Sequence, residues 1–133
     1  MVGAFLLWAI LLAIVLVFVP RGVVVATLVR GEGGLDNRNP RAQLARIEGR
    51  AARANAAHQN TFEALILFAP AALAAFVTGA DPVVANALAG VFLAARAVYI
   101  ALYIGDVPTA RSLVWAVGFL STLGLLGLAI ASV

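Results

Sequence analysis

Three short groups of polar residues interrupt an otherwise apolar chain, and their types and spacing could do chemistry. Asn60 and Glu63 are three residues apart, on one face of any helix, and Arg53 falls seven before Asn60 on the same stripe. Arg96, Tyr99 and Tyr103 follow at i, i+3 and i+7, again one face. Arg111 stands next to Ser112, a fixed cation beside a hydroxyl, which suits holding a thiolate or a carboxylate. The commoner use of such an arginine is to snorkel to lipid headgroups. Glu63 and Arg96 lie inside apolar runs, where an ionisable group is costly and calls for a partner or a function. They are expected to pair across two helices, either to hold the bundle and fix a site nearby or as a relay pair in a transporter. The single histidine, His58, reads as a solvated helix residue. With no second histidine and no cysteine, an all-His metal site, a Cys-based metal site, disulfides and thiol catalysis by the chain itself are excluded, and no metal is expected.

The elements that must position these groups are helices in a bilayer. Of 133 residues, 64% are hydrophobic and 11% charged, where a soluble domain carries about a quarter charged. The outside must therefore face lipid. At about 20 apolar residues per span, the chain holds four or five helices and no separate soluble domain. The reading is all-α: one integral membrane four-helix bundle over residues 1–133, with spans at about 4–29, 60–80, 82–105 and 110–132. The first is expected to kink at Pro20. It is too long, and its start too free of charge, for a cleaved signal peptide. Residues 30–58 form the long polar loop. Its first part, 31–40, is full of breakers. From Arg41, Leu44, Ile47 and Ala51 keep helical spacing without a proline, so a helix is expected to run straight into the second span. Pro82 suits a first helical turn, residues 106–109 make a tight turn, and Gly118, Gly124 and Gly127 are expected to allow close packing.

Charge orients the bundle. All nine basic residues are arginines, and seven of them lie in segments 30–58 and 105–111, which four spans place on one side. The opposite loop, around Asp81, has none. The positive-inside rule puts the long loop in the cytoplasm and both termini across the membrane. No basic face interleaved with aromatics exists, so no nucleic-acid partner is expected. No polar path reaches both faces, which weighs against a transporter. The all-arginine, alanine-rich composition suggests a GC-rich genome and a bacterial inner membrane.

The segment RANAAHQNTFE, residues 53–63, resembles the second-helix signature of the membrane-associated proteins in eicosanoid and glutathione metabolism (the MAPEG family). RAVYIALYIG, residues 96–105, looks like that family's third helix, and TARSL, residues 109–113, like the start of its fourth. The match runs from about Arg46 to Leu126 in order and spacing. The resemblance implies a left-handed four-helix protomer assembled as a homotrimer among membrane lipids, with glutathione as co-substrate between neighbouring protomers near the cytoplasmic face. By correspondence Asn60, Glu63, Tyr99 and Tyr103 would contact glutathione, with Arg53 a substitute carboxylate anchor. Arg111 would stabilise the thiolate and Ser112 assist. The implied activity is that of a transferase or peroxidase, a detoxification chemistry acting on a hydrophobic electrophile or lipid hydroperoxide. The alternative is a non-catalytic lipid- or glutathione-binding member. Three positions depart from the pattern: Ala56 stands where many members have an arginine, Leu67 where a proline is usual, and Gln59 where some members have a basic residue.

Overall fold

The computed structural model describes residues 4–133. The uncharged start at residues 1–3, part of the case against a signal peptide, lies outside them. Four helices are long and apolar enough to cross a membrane: α1 (Ala4–Arg30), α3 (Gly49–Val77), α4 (Pro82–Ile104) and α5 (Pro108–Ile130), with the short α2 (Pro40–Leu44) between the first two. At 1.5 Å per residue α4 and α5 are about 34 Å long and α1 about 40 Å, against a hydrocarbon core of about 30 Å. Their outward faces are apolar. Trp8, Phe18, Ile66, Val77, Leu113 and Leu120 all lie exposed, as lipid contact requires.

The inward faces follow the helical period. On α1 the buried residues are Leu6, Ala9, Ala13, Val17, Pro20 and Val24, a stripe at intervals of three and four. The helix passes through Pro20 without a break. α3 is the hub and packs against α1, α4 and α5, while α4 also lies along α5 and touches α1. The faces in contact are built from small residues: Ala71, Ala72 and Ala75 of α3, and Ala85 and Ala89 of α4, are all buried. With no hydrophobic drive between helices in lipid, close backbone approach is the main source of adhesion. Gly118 sits against Ala95 and Phe92, and Gly124 against Leu88. Gly127 meets nothing within 4 Å in this chain, so close packing holds for two of the three expected glycines.

The turns carry their own signals. Asp81 caps α4 by accepting from the Val84 amide at 2.9 Å, with Pro82 in the first turn. The α4–α5 turn places Asp106 at φ 62°, the left-handed region that a short polar side chain tolerates. One expectation is corrected here. The helix beginning near Arg41 does not continue into the second span. α2 ends at Leu44, Glu48 is extended, and Gly49, at φ 58°, turns the chain into α3. Gln43 is the physical reason. Its side chain accepts from the Asp36 amide at 3.0 Å and donates to the Gly34 carbonyl at 2.8 Å, pulling α2 back onto the loop.

The two ends of the bundle differ. The apolar core, with Leu6, Phe68, Phe92 and Leu125, fills the half away from the long loop. The polar residues collect in the half beside it.

Candidate functional site

Arg96 is the centre of the polar half. It is 2% exposed, on α4 two turns before the helix ends. Its Nη2 donates to the Asn60 Oδ1 at 3.1 Å and the Thr61 Oγ1 at 3.0 Å, both on α3. Its Cζ lies 4.0 Å from the centroid of the Tyr99 ring, so the cation rests on a π face one turn along its own helix. Asn60 turns its amide nitrogen the other way and donates to the Glu63 Oε2 at 3.3 Å. Glu63 and Arg96 are thus joined through Asn60. The expected direct pair is not formed: among the described residues the one ion pair is Arg53 with Asp106, at 3.9 Å. A single amide can face both charges because Asn60 and Glu63 are one turn apart on α3 while Arg96 crosses from α4.

Nearer the end of the bundle, Tyr103 meets Tyr99 edge to face at 5.6 Å, and the Arg111 Cζ lies 4.3 Å from the Tyr103 centroid. α4 and α5 are joined by a turn so short that the last turn of one must face the first of the other. Tyr99, Tyr103, Arg111, Ser112 and Trp115 line a cleft of about 180 Å³ there. Tyr99 is buried and Tyr103 half-buried, and both turn toward this cleft. The Ser112 hydroxyl donates to the Pro108 carbonyl at 3.1 Å, so it can give its proton to a ligand only after rotating.

A second cavity, of about 100 Å³, lies beside the first, with Asn60, Glu63, Leu67, Phe92, Arg96 and Trp115 in its wall. Trp115 belongs to both and stands as the partition between a polar cleft and a largely apolar one. Arg53 sits apart from these groups: its Nε donates to the Ile104 carbonyl at 3.2 Å and its Nη1 faces Asp106. It clasps α3 to the α4–α5 turn.

The family model described as the MAPEG family matches residues 5–131, nearly the whole chain. The chain belongs to the MAPEG family. No curated protein and no solved structure matches it.

Within this MAPEG protein the helices bring Asn60, Glu63, Arg96 and Tyr99 into one linked array, with Tyr103, Arg111 and Ser112 in the adjoining cleft. Arg53 stands one step outside it. Two groups escaped the reading of the sequence. Thr61 is 2% exposed, accepts from Arg96 and donates to the Ala57 carbonyl at 2.7 Å. A lone threonine in an alanine-rich span directly after Asn60 was the available signal. Trp115, four residues after Arg111, is the other, hidden because an aromatic in an apolar helix looks like lipid-facing surface. His58 is half-buried, and its Nδ1 lies 2.7 Å from the Val17 carbonyl, so it ties α3 to α1 instead of standing in solvent.

Proposed function

We propose that this protein is a glutathione-dependent membrane transferase or peroxidase, and that it works as a homotrimer. The observation that carries the reading is the cleft at the α4–α5 turn, where Arg111 and Ser112 meet two tyrosines next to the Asn60–Glu63–Arg96 array. A thiol is mostly protonated at neutral pH, and a guanidinium beside it lowers its pKa and supplies the nucleophile. Arg111 is the cation placed for this role. Among the described residues its one strong contact is a ring face, which leaves its N–H donors for a ligand.

In conjugation the thiolate sulfur attacks an electrophilic carbon. A C–S bond forms, the leaving group departs with its electron pair, and the thiol proton goes to water. With a lipid hydroperoxide, two glutathiones supply two electrons and two protons, giving an alcohol, water and the disulfide. The apolar cavity behind Trp115, with Leu67 and Phe92 in its wall, suits a hydrophobic second substrate arriving through the bilayer.

Glu63 supports the trimer. It is exposed on the protomer beside exposed Phe62, Ile66 and Leu67, which puts a carboxylate on the outer face of a span. In lipid that position is costly, and a neighbouring protomer relieves the cost by covering it.

A second reading, a non-catalytic binding protein of the same family, draws on Arg53. With Ala56 lacking a side-chain charge, Arg53 is the substitute anchor for a glutathione carboxylate, yet two of its three nitrogens face Ile104 and Asp106. Purified protein in detergent decides between them. The enzyme gives glutathione thiolate absorbance and turns over a chlorodinitrobenzene-type electrophile, and Arg111→Ala loses both. Glutathione binding without thiolate or turnover selects the second reading, and absence of glutathione binding removes the enzyme and leaves only a lipid-binding member.

A further inference from the structure

A third cleft, larger than the two just described, lies on α3 toward α1 and α2 and shares no residue with them. It measures about 610 Å³, within the range of small-molecule sites. Arg21 of α1, Arg41 and Leu44 of α2, and Asn55, His58 and Gln59 of α3 line it, together with Pro40 and Ala45. Asn55 and His58 point to a different face of α3 from Asn60 and Glu63, at 100° per residue.

Charge defines this cleft. Two of its eight lining residues are arginines, two are amides and one is the histidine, and no carboxylate is among them. The acids of the loop are not within it; Asp36 is spent on the amides of Arg38 and Asn39, at 2.9 and 3.0 Å. The positive wall is also held in place. Gln43 ties α2 to the loop, which sets Arg41 over the groove. His58 is fixed by its Nδ1, which must donate because the Val17 carbonyl can only accept, so the ring forms a neutral, rigid part of the wall.

Depth defines the occupant. Arg21 lies one turn after Val17, whose carbonyl meets His58 where α3 passes from its polar first turns into the apolar run that begins at Thr61. The cleft therefore opens at the boundary between the polar and apolar parts of α3, the level at which lipid phosphates lie. We infer that this cleft binds the phosphate of an anionic phospholipid headgroup, held between Arg21 and Arg41 with Asn55 and Gln59 as neutral donors. Basic pockets between membrane helices recognise lipid headgroups in this way. The α2 loop is then a seat for one lipid, and it holds that lipid against a face of α3 next to the proposed thiol site. This inference stands without the proposed enzymatic activity.

The test uses the full chain in a mild detergent, titrated with phosphatidylglycerol or phosphatidylcholine, with bound lipids counted by native mass spectrometry. Wild type retains phosphatidylglycerol over phosphatidylcholine. At about fivefold per arginine, the double variant Arg21→Gln, Arg41→Gln binds it about 25-fold more weakly, and phosphatidylcholine equally. Asn55→Asp keeps both arginines and adds a carboxylate to the wall, so it lowers phosphatidylglycerol binding even if the double variant misfolds. Equal retention of the two lipids by wild type, or phosphatidylglycerol binding that survives Asn55→Asp, overturns the inference. So does displacement of the lipid by millimolar inorganic phosphate, which would mark a site for a free anion. Loss of glutathione binding in a folded Arg21→Gln, Arg41→Gln protein also overturns it, by assigning the cleft to the thiol ligand.

Discussion

A guanidinium buried at the depth of a membrane span must be offset by the groups around it, and around Arg96 those in direct contact are neutral. An amide oxygen, a hydroxyl and a tyrosine ring take the place of the carboxylate expected from the sequence, and Glu63 is one step further out. The sequence named both charges but could not show that the residue between them in space is one of their own neighbours in the chain. The stability consequence is specific. A double-mutant cycle of Arg96→Ala with Asn60→Ala, read by denaturant unfolding in detergent, gives a coupling of about 1 kcal/mol, the scale of a polar contact between membrane helices. The cycle of Arg96→Ala with Glu63→Ala gives a smaller coupling, and a larger one would restore the direct pair. Arg111 poses a catalytic question instead. Losing one preorganised charge from a developing thiolate costs about 100-fold or more, so Arg111→Ala lowers kcat/KM by that factor while the unfolding midpoint hardly moves. Arg111→Lys recovers part of the rate, because an ammonium keeps the charge but not the planar fork.

At the scale of the element, the spans were legible because their ends are written in proline, glycine and aspartate. Pro82 and Asp81 start α4, Gly79 at φ 66° follows the end of α3, and Pro108 starts α5. The break between α2 and α3 was not legible, since residues 41–48 hold no proline or glycine and keep apolar spacing. It depends on Gln43 reaching back nine residues to Gly34, a contact that periodicity does not encode. The α5 helix shows how one face can serve two ends. Arg111 and Trp115 line the polar cleft, while Trp115, Gly118 and Thr122 line the apolar cavity, at steps of four, three and four. If the partition matters, Trp115→Ala joins the two spaces, and the ratio of kcat/KM for a bulky electrophile over a small one rises several-fold, measured on a homologous series. An unchanged ratio would place the second substrate elsewhere. The same helix allows a packing test. A Cβ on Gly124 comes within 3.3 Å of Leu88, whereas one on Gly118 makes contacts of 3.6 Å or more. Gly124→Val therefore costs about 1–3 kcal/mol by overpacking, while Gly118→Ala, whose new contacts are ordinary ones, stabilises by up to about 1 kcal/mol through helix propensity.

For the whole molecule, charge and shape together argue for one orientation and one assembly. Seven of nine arginines stand at the end that holds the site, so orientation of the chain and placement of the chemistry are the same question. With no native cysteine, single cysteines at Gly33 and Ser132 report sidedness without background. In inside-out bacterial inner-membrane vesicles an impermeant maleimide labels the first and spares the second, and the reverse pattern would turn the bundle over. The proposed assembly rests on Glu63. An isolated protomer leaves this carboxylate on a lipid-facing surface next to Phe62, Ile66 and Leu67, and its one described partner is the Asn60 amide. Burial against a neighbouring copy offers the second partner, so assembly and site completion should fail together. Light scattering in mild detergent is expected to give three copies of the 13.7 kDa chain. Glu63→Arg puts like charge beside Arg96, and should yield smaller species with lost glutathione binding while helical content is kept. A wild-type monomer that still binds glutathione would refute the link between the two, and would leave Glu63 as a residue that lipid tolerates on its own.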